Sequence, residues 1–136
     1  MSVNNTSLPS YAIIVFLAEI PDFVRCGKLT PGQTVRVTGV LNGDMRSLTD
    51  RGYSVGLDLS SIVGSQFRAS PGELVQVIGT LCQQQASGYS NFHNTLSSTA
   101  FSINATIIRS VPDLDIPLYE QAVGKMRKYL ESTHCA

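Results

Sequence analysis

GQTVRVTGVL, beginning at Gly32, returns forty residues later as GELVQVIGTL, beginning at Gly72. The two stretches share glycine, valine, valine, glycine and leucine at the same five offsets. A repeat array needs three or more similar units to bury a continuous core. Only two copies stand here, and the residues between them have no counterpart after Leu81. The pair is therefore read as one fold that needs the same piece of backbone twice. In the first copy Val35, Val37, Gly39 and Leu41 alternate with Thr34, Arg36 and Thr38, the period of a half-buried strand. The second copy repeats this with Val75, Val77, Gly79 and Leu81. A glycine inside a strand marks a bulge or sharp bend.

The other elements are arranged around these two. Residues 1–10 are polar and read as a disordered lead to a single domain over 11–136. Tyr11–Ala18 is expected as a β segment ended by Pro21. Asn42-Gly43-Asp44 is a turn, Met45–Thr49 a short strand, and Asp50-Arg51-Gly52 a tight hairpin before Tyr53, Val55, Leu57 and Leu59. Ser60–Gln66 suits one helical turn, and residues 83–99 form a polar loop. Phe101–Arg109 is the last strand, with Phe101, Ile103, Ala105 and Ile107 expected on one face. A C-terminal helix over 117–131 follows, with Pro117 at its start, Asp113 and Asp115 near the positive end of its dipole, and Lys125, Arg127 and Lys128 toward the negative end. Its apolar stripe is broader than one core contact requires. Five short strands with turns between them and a terminal helix close most economically as a small barrel. The expected class is all-β with a C-terminal helix: a single OB-fold, a five-stranded Greek-key barrel whose first and fourth strands bend at Gly39 and Gly79.

The chain has 136 residues, enough for one core and too few for two. Ten Lys and Arg balance ten Asp and Glu. That balance argues against a strong solo nucleic-acid binder, because phosphate affinity comes chiefly from clustered cations. Cys26, Cys82 and Cys135 are odd in number and lack CxxC spacing, which suits free thiols in a reducing compartment. No secretory signal precedes Asn5-Thr6-Ser7 or Asn104-Ala105-Thr106, and the apolar run Tyr11–Ala18 is far short of the ~20 residues that span a bilayer. A soluble, intracellular protein is expected. His93 and His134 have no Cys or carboxylate at ligand spacing, so no metal is expected. The glycine clusters sit at turns and bends and not in a phosphate-cradling loop. The expectation is a non-enzyme with no catalytic residues and no cofactor.

The stretch VPDLDIPLYEQAVGKMRKYL, with GQTVRVTGVL and GELVQVIGTLCQQQ, resembles the smallest (TEN) subunit family of the CST telomere-capping complex. It is similar, less closely, to the smallest subunit of replication protein A, a general replication and repair factor. The distinctive part is D-[LI]-x-L-Y-x-x-[AS] opening a terminal helix. The resemblance implies a nuclear, telomeric subunit that pairs with an STN-like OB-fold subunit through the C-terminal helix and joins a large CTC/CDC-type subunit. It also implies that telomeric single-stranded DNA is bound mainly by the complex, which supports C-strand fill-in. Tyr119, Val123, Met126 and Tyr129 are assigned to the partner side of the helix and Leu118 to the barrel side; the alternative is that the whole stripe caps the barrel. Gly124 costs ~1 kcal/mol relative to Ala inside a helix and makes sense if another helix crosses there. OB-folds bind single strands with cations and aromatic platforms. The weak DNA candidates are Arg36, Arg46, Arg51, Arg109, Tyr53, Tyr89 and Phe92. A different class, an autonomous single-strand-binding protein, would need a basic groove.

Overall fold

Both copies of the repeat are launched by the same turn. At Pro31-Gly32 and Pro71-Gly72 the glycines take φ of 101° and 88°, left-handed values that glycine adopts without steric cost. The Gln33 N–H donates to the Thr30 carbonyl (3.0 Å) and the Glu73 N–H to the Ser70 carbonyl (3.1 Å). In return the Gln33 and Glu73 side chains accept the Thr30 and Ser70 N–H groups, each at 2.8 Å.

The computed structural model describes residues 12–62, 69–83 and 101–134, and side chains as far as Tyr129. Along the chain lie β1 (Ile13–Ile14), a 3-10 turn (Leu17–Glu19), α1 (Ile20–Arg25), β2 (Thr34–Leu41), β3 (Ser47–Asp50) and β4 (Tyr53–Asp58). After these come β5 (Leu74–Gln83), β6 (Phe101–Ser110) and α2 (Ile116–His134). The repeated strands β2 and β5 are each other's antiparallel partners, with Val37 opposite Val77, Val35 opposite Gly79 and Gly39 opposite Val75. Gly32 N–H donates to the Leu81 carbonyl and Gly72 N–H to the Leu41 carbonyl, both at 2.7 Å. Each copy's turn thus closes on the other copy's last leucine. The repeat is a local two-fold built into the sheet.

From β2 the ring runs through β3 and β4, crosses to β6 in parallel register (Gly56 opposite Ser102), and returns through β5 to β2. This is a closed five-stranded barrel with a C-terminal helix, an OB-fold, as expected. The repeat's alternating residues Val35, Val37, Leu41, Val75, Val77 and Leu81 line its core. β1 adds in parallel beside the start of β2, and Ile20 of α1 joins the core from one end.

Three expectations are corrected. Tyr11–Ala18 is not one strand: after Ile14 the chain coils, because the Glu19 carboxylate accepts the Phe16 N–H (2.9 Å) and holds the 3-10 turn. Pro21, read as a stop, sits in the first turn of α1, where a missing N–H costs nothing. On β6 the inward residue after Ala105 is Ile108, while Ile107 is 50% exposed. The cause is a bulge: Ile78 pairs with Ile107 but Gly79 pairs with Ala105, which leaves Thr106 as the extra residue. The lead at 1–10, most of Ser60–Gln66 and most of the 83–99 loop lie outside the described residues.

Candidate functional site

The C-terminal helix carries the residues with most to decide. Asp115 opens it, its side chain accepting the Leu118 N–H (3.1 Å), the bond an N-cap makes. One face turns to the barrel. Ile116 and Tyr119 meet Phe16, Thr38 and Leu74 around a hollow of about 40 Å³. The Tyr119 ring stands edge-on to Phe16, centroids 6.0 Å apart, and Val123 is 3% exposed. Two charge pairs hold the helix along this side. Arg51, at the tip of the β3–β4 hairpin, pairs with Glu120; further along, Arg127 reaches Glu19. Beside the Arg51–Glu120 pair lies a hollow of about 310 Å³, lined by Phe16, Ala18, Glu19, Asp50, Arg51, Tyr53 and Glu120.

The opposite face points to solvent. Leu118 is 61% exposed, Met126 39% and Tyr129 69%, with Ala122 and Gly124 also exposed. The expected division of the stripe therefore changes. Met126 and Tyr129 lie outward, whereas Tyr119 and Val123 face the barrel and Leu118 faces away from it. A Cβ built on Gly124 would meet nothing within 4 Å. Among the described residues, nothing in the packing asks for a glycine there.

The cationic candidates do not gather into one groove. Arg36 and Arg109 are on the outer face of the β2–β5–β6 sheet, one row apart: Arg36 pairs with Ile78, while Arg109 pairs with Gln76. Arg36 is half-buried with its Nε closed off from solvent. Arg109 donates to the Gln76 side chain (3.3 Å), which in turn donates to Thr38 (3.4 Å). Arg51 is engaged by Asp50 (3.5 Å) and by Glu120. Arg46 is exposed in the β2–β3 turn, and Tyr53 is exposed at the start of β4. Tyr89 and Phe92 lie outside the described residues.

Sequence reading overlooked the pairing of Glu19 with Arg127. Burial pushes the Glu19 carboxyl up, but the Arg127 hydrogen bonds, the Phe16 N–H and the nearby charges of Arg127 and Lys28 outweigh it. The net effect holds Glu19 below the usual carboxylate range. The available signal was an arginine in phase with the helix's barrel-facing residues. Among the described residues no group of three His, Cys, Asp or Glu could hold a metal ion, and no helix is long and apolar enough to cross a membrane.

Residues 8–133 match the family described as telomere-capping, CST complex subunit. The fold is similar to that in the crystal structure of the S. pombe Stn1–Ten1 complex, at a TM-score of 0.62 and 19% identity over 88% of this chain and 94% of that one. It is also similar to the S. pombe telomere-capping protein Ten1, at a TM-score of 0.60 and 21% identity over 87% of this chain and 99% of that one. At such identities the structures speak for the fold. No curated protein matches in the sequence search.

Proposed function

The chain belongs to the telomere-capping CST-complex subunit family, and from that premise we propose that it pairs with an STN-type OB-fold subunit through the outer stripe of α2. One observation carries the reading. Leu118, Met126 and Tyr129 stay exposed on α2 while the opposite face is already satisfied by the barrel. Interface energy concentrates in a few large groups of this kind, and methionine adapts to irregular neighbours. Gly124 is exposed as well, but it lies roughly 120–160° around the axis from these three residues, on the other flank of the helix, and carries no part of this reading.

The similar S. pombe protein forms a complex with Stn1, and the present chain plays the corresponding part at chromosome ends in the nucleus. It is a non-catalytic subunit. A large CTC/CDC-type subunit completes the assembly, which binds telomeric single strands and supports C-strand fill-in. Direct DNA contacts by this chain are few, with the exposed Arg46 and Tyr53 the first candidates of the original set.

The test is Met126→Ala with Tyr129→Ala. Both side chains are exposed, so thermal unfolding of the lone chain is expected to stay close to wild type. Affinity for the STN-type subunit should fall by several kcal/mol, since each anchor can contribute ~2 kcal/mol or more. Unchanged affinity would place the partner elsewhere on the barrel.

A further inference from the structure

Ile116, Tyr119 and Val123 recur on the barrel side of α2 at helical spacing, and the next position in phase is Arg127. A cation on that face is costly unless it is paired and hydrogen-bonded. Arg127 is both. Its Nη1 donates to Glu19 Oε2 (2.7 Å) and its Nη2 to Glu19 Oε1 (2.8 Å), a two-pronged pair. Nη2 also donates to the Ile14 carbonyl (2.8 Å). The guanidinium lies 5.5 Å from the Phe16 ring centre and 5.3 Å from that of Phe23. Glu19 is itself held in place by the Phe16 N–H.

An apolar residue here would tie the helix down by buried area alone, which tolerates rolling. A planar fork with partners in four directions does not. Met126 and Tyr129 stand one residue before and two after Arg127, ~100° back and ~200° on around the axis, which sets them about 60° apart. The fork therefore fixes the azimuth of the two anchors nearest to it. The second charge pair reinforces this, because its polarity is reversed: the barrel supplies the cation at Arg51 and the helix the anion at Glu120. A helix docked end for end would bring Arg127 to Arg51 and Glu120 to Glu19.

We propose that Arg127 is a positioning residue. By gripping Glu19 it sets the pose of α2, and through it the N-terminal segment controls how the outer stripe meets the partner. The inference rests on the reading of α2 as the partner surface.

The informative variant is Glu19→Gln, which lies off the helix and retains an acceptor for the Phe16 N–H while removing the charge. Two quantities are measured: amide hydrogen exchange of the full chain alone, and affinity for the STN-type subunit. The expected result is unchanged protection of the barrel strands, faster exchange along α2, and affinity lower by roughly 2- to 30-fold, the scale of coupling from residues that do not touch the ligand. Arg127→Lys, which keeps the charge but loses the fork, should fall between wild type and Arg127→Met in both readouts. Faster α2 exchange at unchanged affinity overturns the proposal, as does weaker affinity with α2 exchange unaltered, which would mean direct contact with the partner. No change in either overturns it too. Lost barrel protection would assign the pair to the stability of the fold and equally overturn it. If Met126→Ala with Tyr129→Ala binds like wild type, the partner-surface reading fails and this proposal with it. That failure is distinguishable, because the Glu19→Gln exchange is measured without any partner.

Discussion

Gly39 and Gly79 occupy the same offset of the repeat, yet their surroundings demand glycine to different degrees. A Cβ on Gly79 would lie 2.8 Å from Ala105 Cα and 2.9 Å from the Asn104 carbonyl carbon, and closer still to its oxygen. These are backbone atoms at the bulge and cannot swing aside. A Cβ on Gly39 would approach the Thr49 carbonyl oxygen at 3.1 Å, with the side chains of Leu17 and Leu48 at 3.5 Å. Gly79→Ala is therefore expected to destabilise by more than ~4 kcal/mol, or to prevent folding, and Gly39→Ala by about 1–3 kcal/mol. Denaturant unfolding of the two variants checks the order, and equal losses would contradict it. Glu19 supports a second prediction at this scale. Because its carboxyl is held below the usual range, its contribution is present above the ordinary carboxylate pKa and is lost as pH falls through the lowered folded value. Amide exchange along α2 should stay slow through the ordinary carboxylate range and accelerate only below it. Arg127→Met should abolish that acid step.

At the scale of elements, α2 shows what a lone helix gives away. Gly124 is exposed and a Cβ there has open space, so Gly124→Ala should stabilise the isolated chain by about 0.5–1 kcal/mol through helix propensity. Gly124 lies on the other flank of the helix from Leu118, Met126 and Tyr129, so the same change should leave association with the partner close to wild type. Weaker binding would mean that a partner helix crosses at that point instead. The width of the stripe was legible from sequence, but not how it divides. Tyr119, Val123, Met126 and Tyr129 are all apolar enough for either side. Arg127, whose position fixes the azimuth, looks like solvent-facing charge until Glu19 is found beside it, 108 residues away in the chain. The barrel strands were easier, because alternation names the inner face of β2 and β5 directly. Alternation failed at β6, where the bulge at Thr106 slips the pattern by one residue. It also failed at Pro21, which suits a helix start as well as a strand stop.

For the whole molecule the question is how much DNA the chain can hold by itself. Closing the barrel brings the two repeat copies together as hydrogen-bonded partners, but it scatters the arginines. Arg36 and Arg109 are committed to the outer sheet face, where one is half-buried and the other bonds Gln76. Arg51 already answers two carboxylates, and over the whole chain cation and anion counts cancel. Of the arginines weighed as DNA contacts, Arg46 and a released Arg51 remain the readiest to meet phosphates on the described surface. For single strands the slope of log K against log salt is about −0.7 per phosphate neutralised, so two contacts give a slope of about −1.4. Binding of a telomeric single strand by the isolated chain should accordingly be weak, with a slope near that value that Arg46→Ala reduces to about −0.7. Addition of the STN-type subunit should raise the affinity and steepen the slope, because the partner contributes contacts of its own. A slope steeper than about −3 for the chain alone, or nanomolar binding at physiological salt, would mean that a basic groove exists after all. The protein would then be an autonomous single-strand binder, and α2 would have to be explained without a partner.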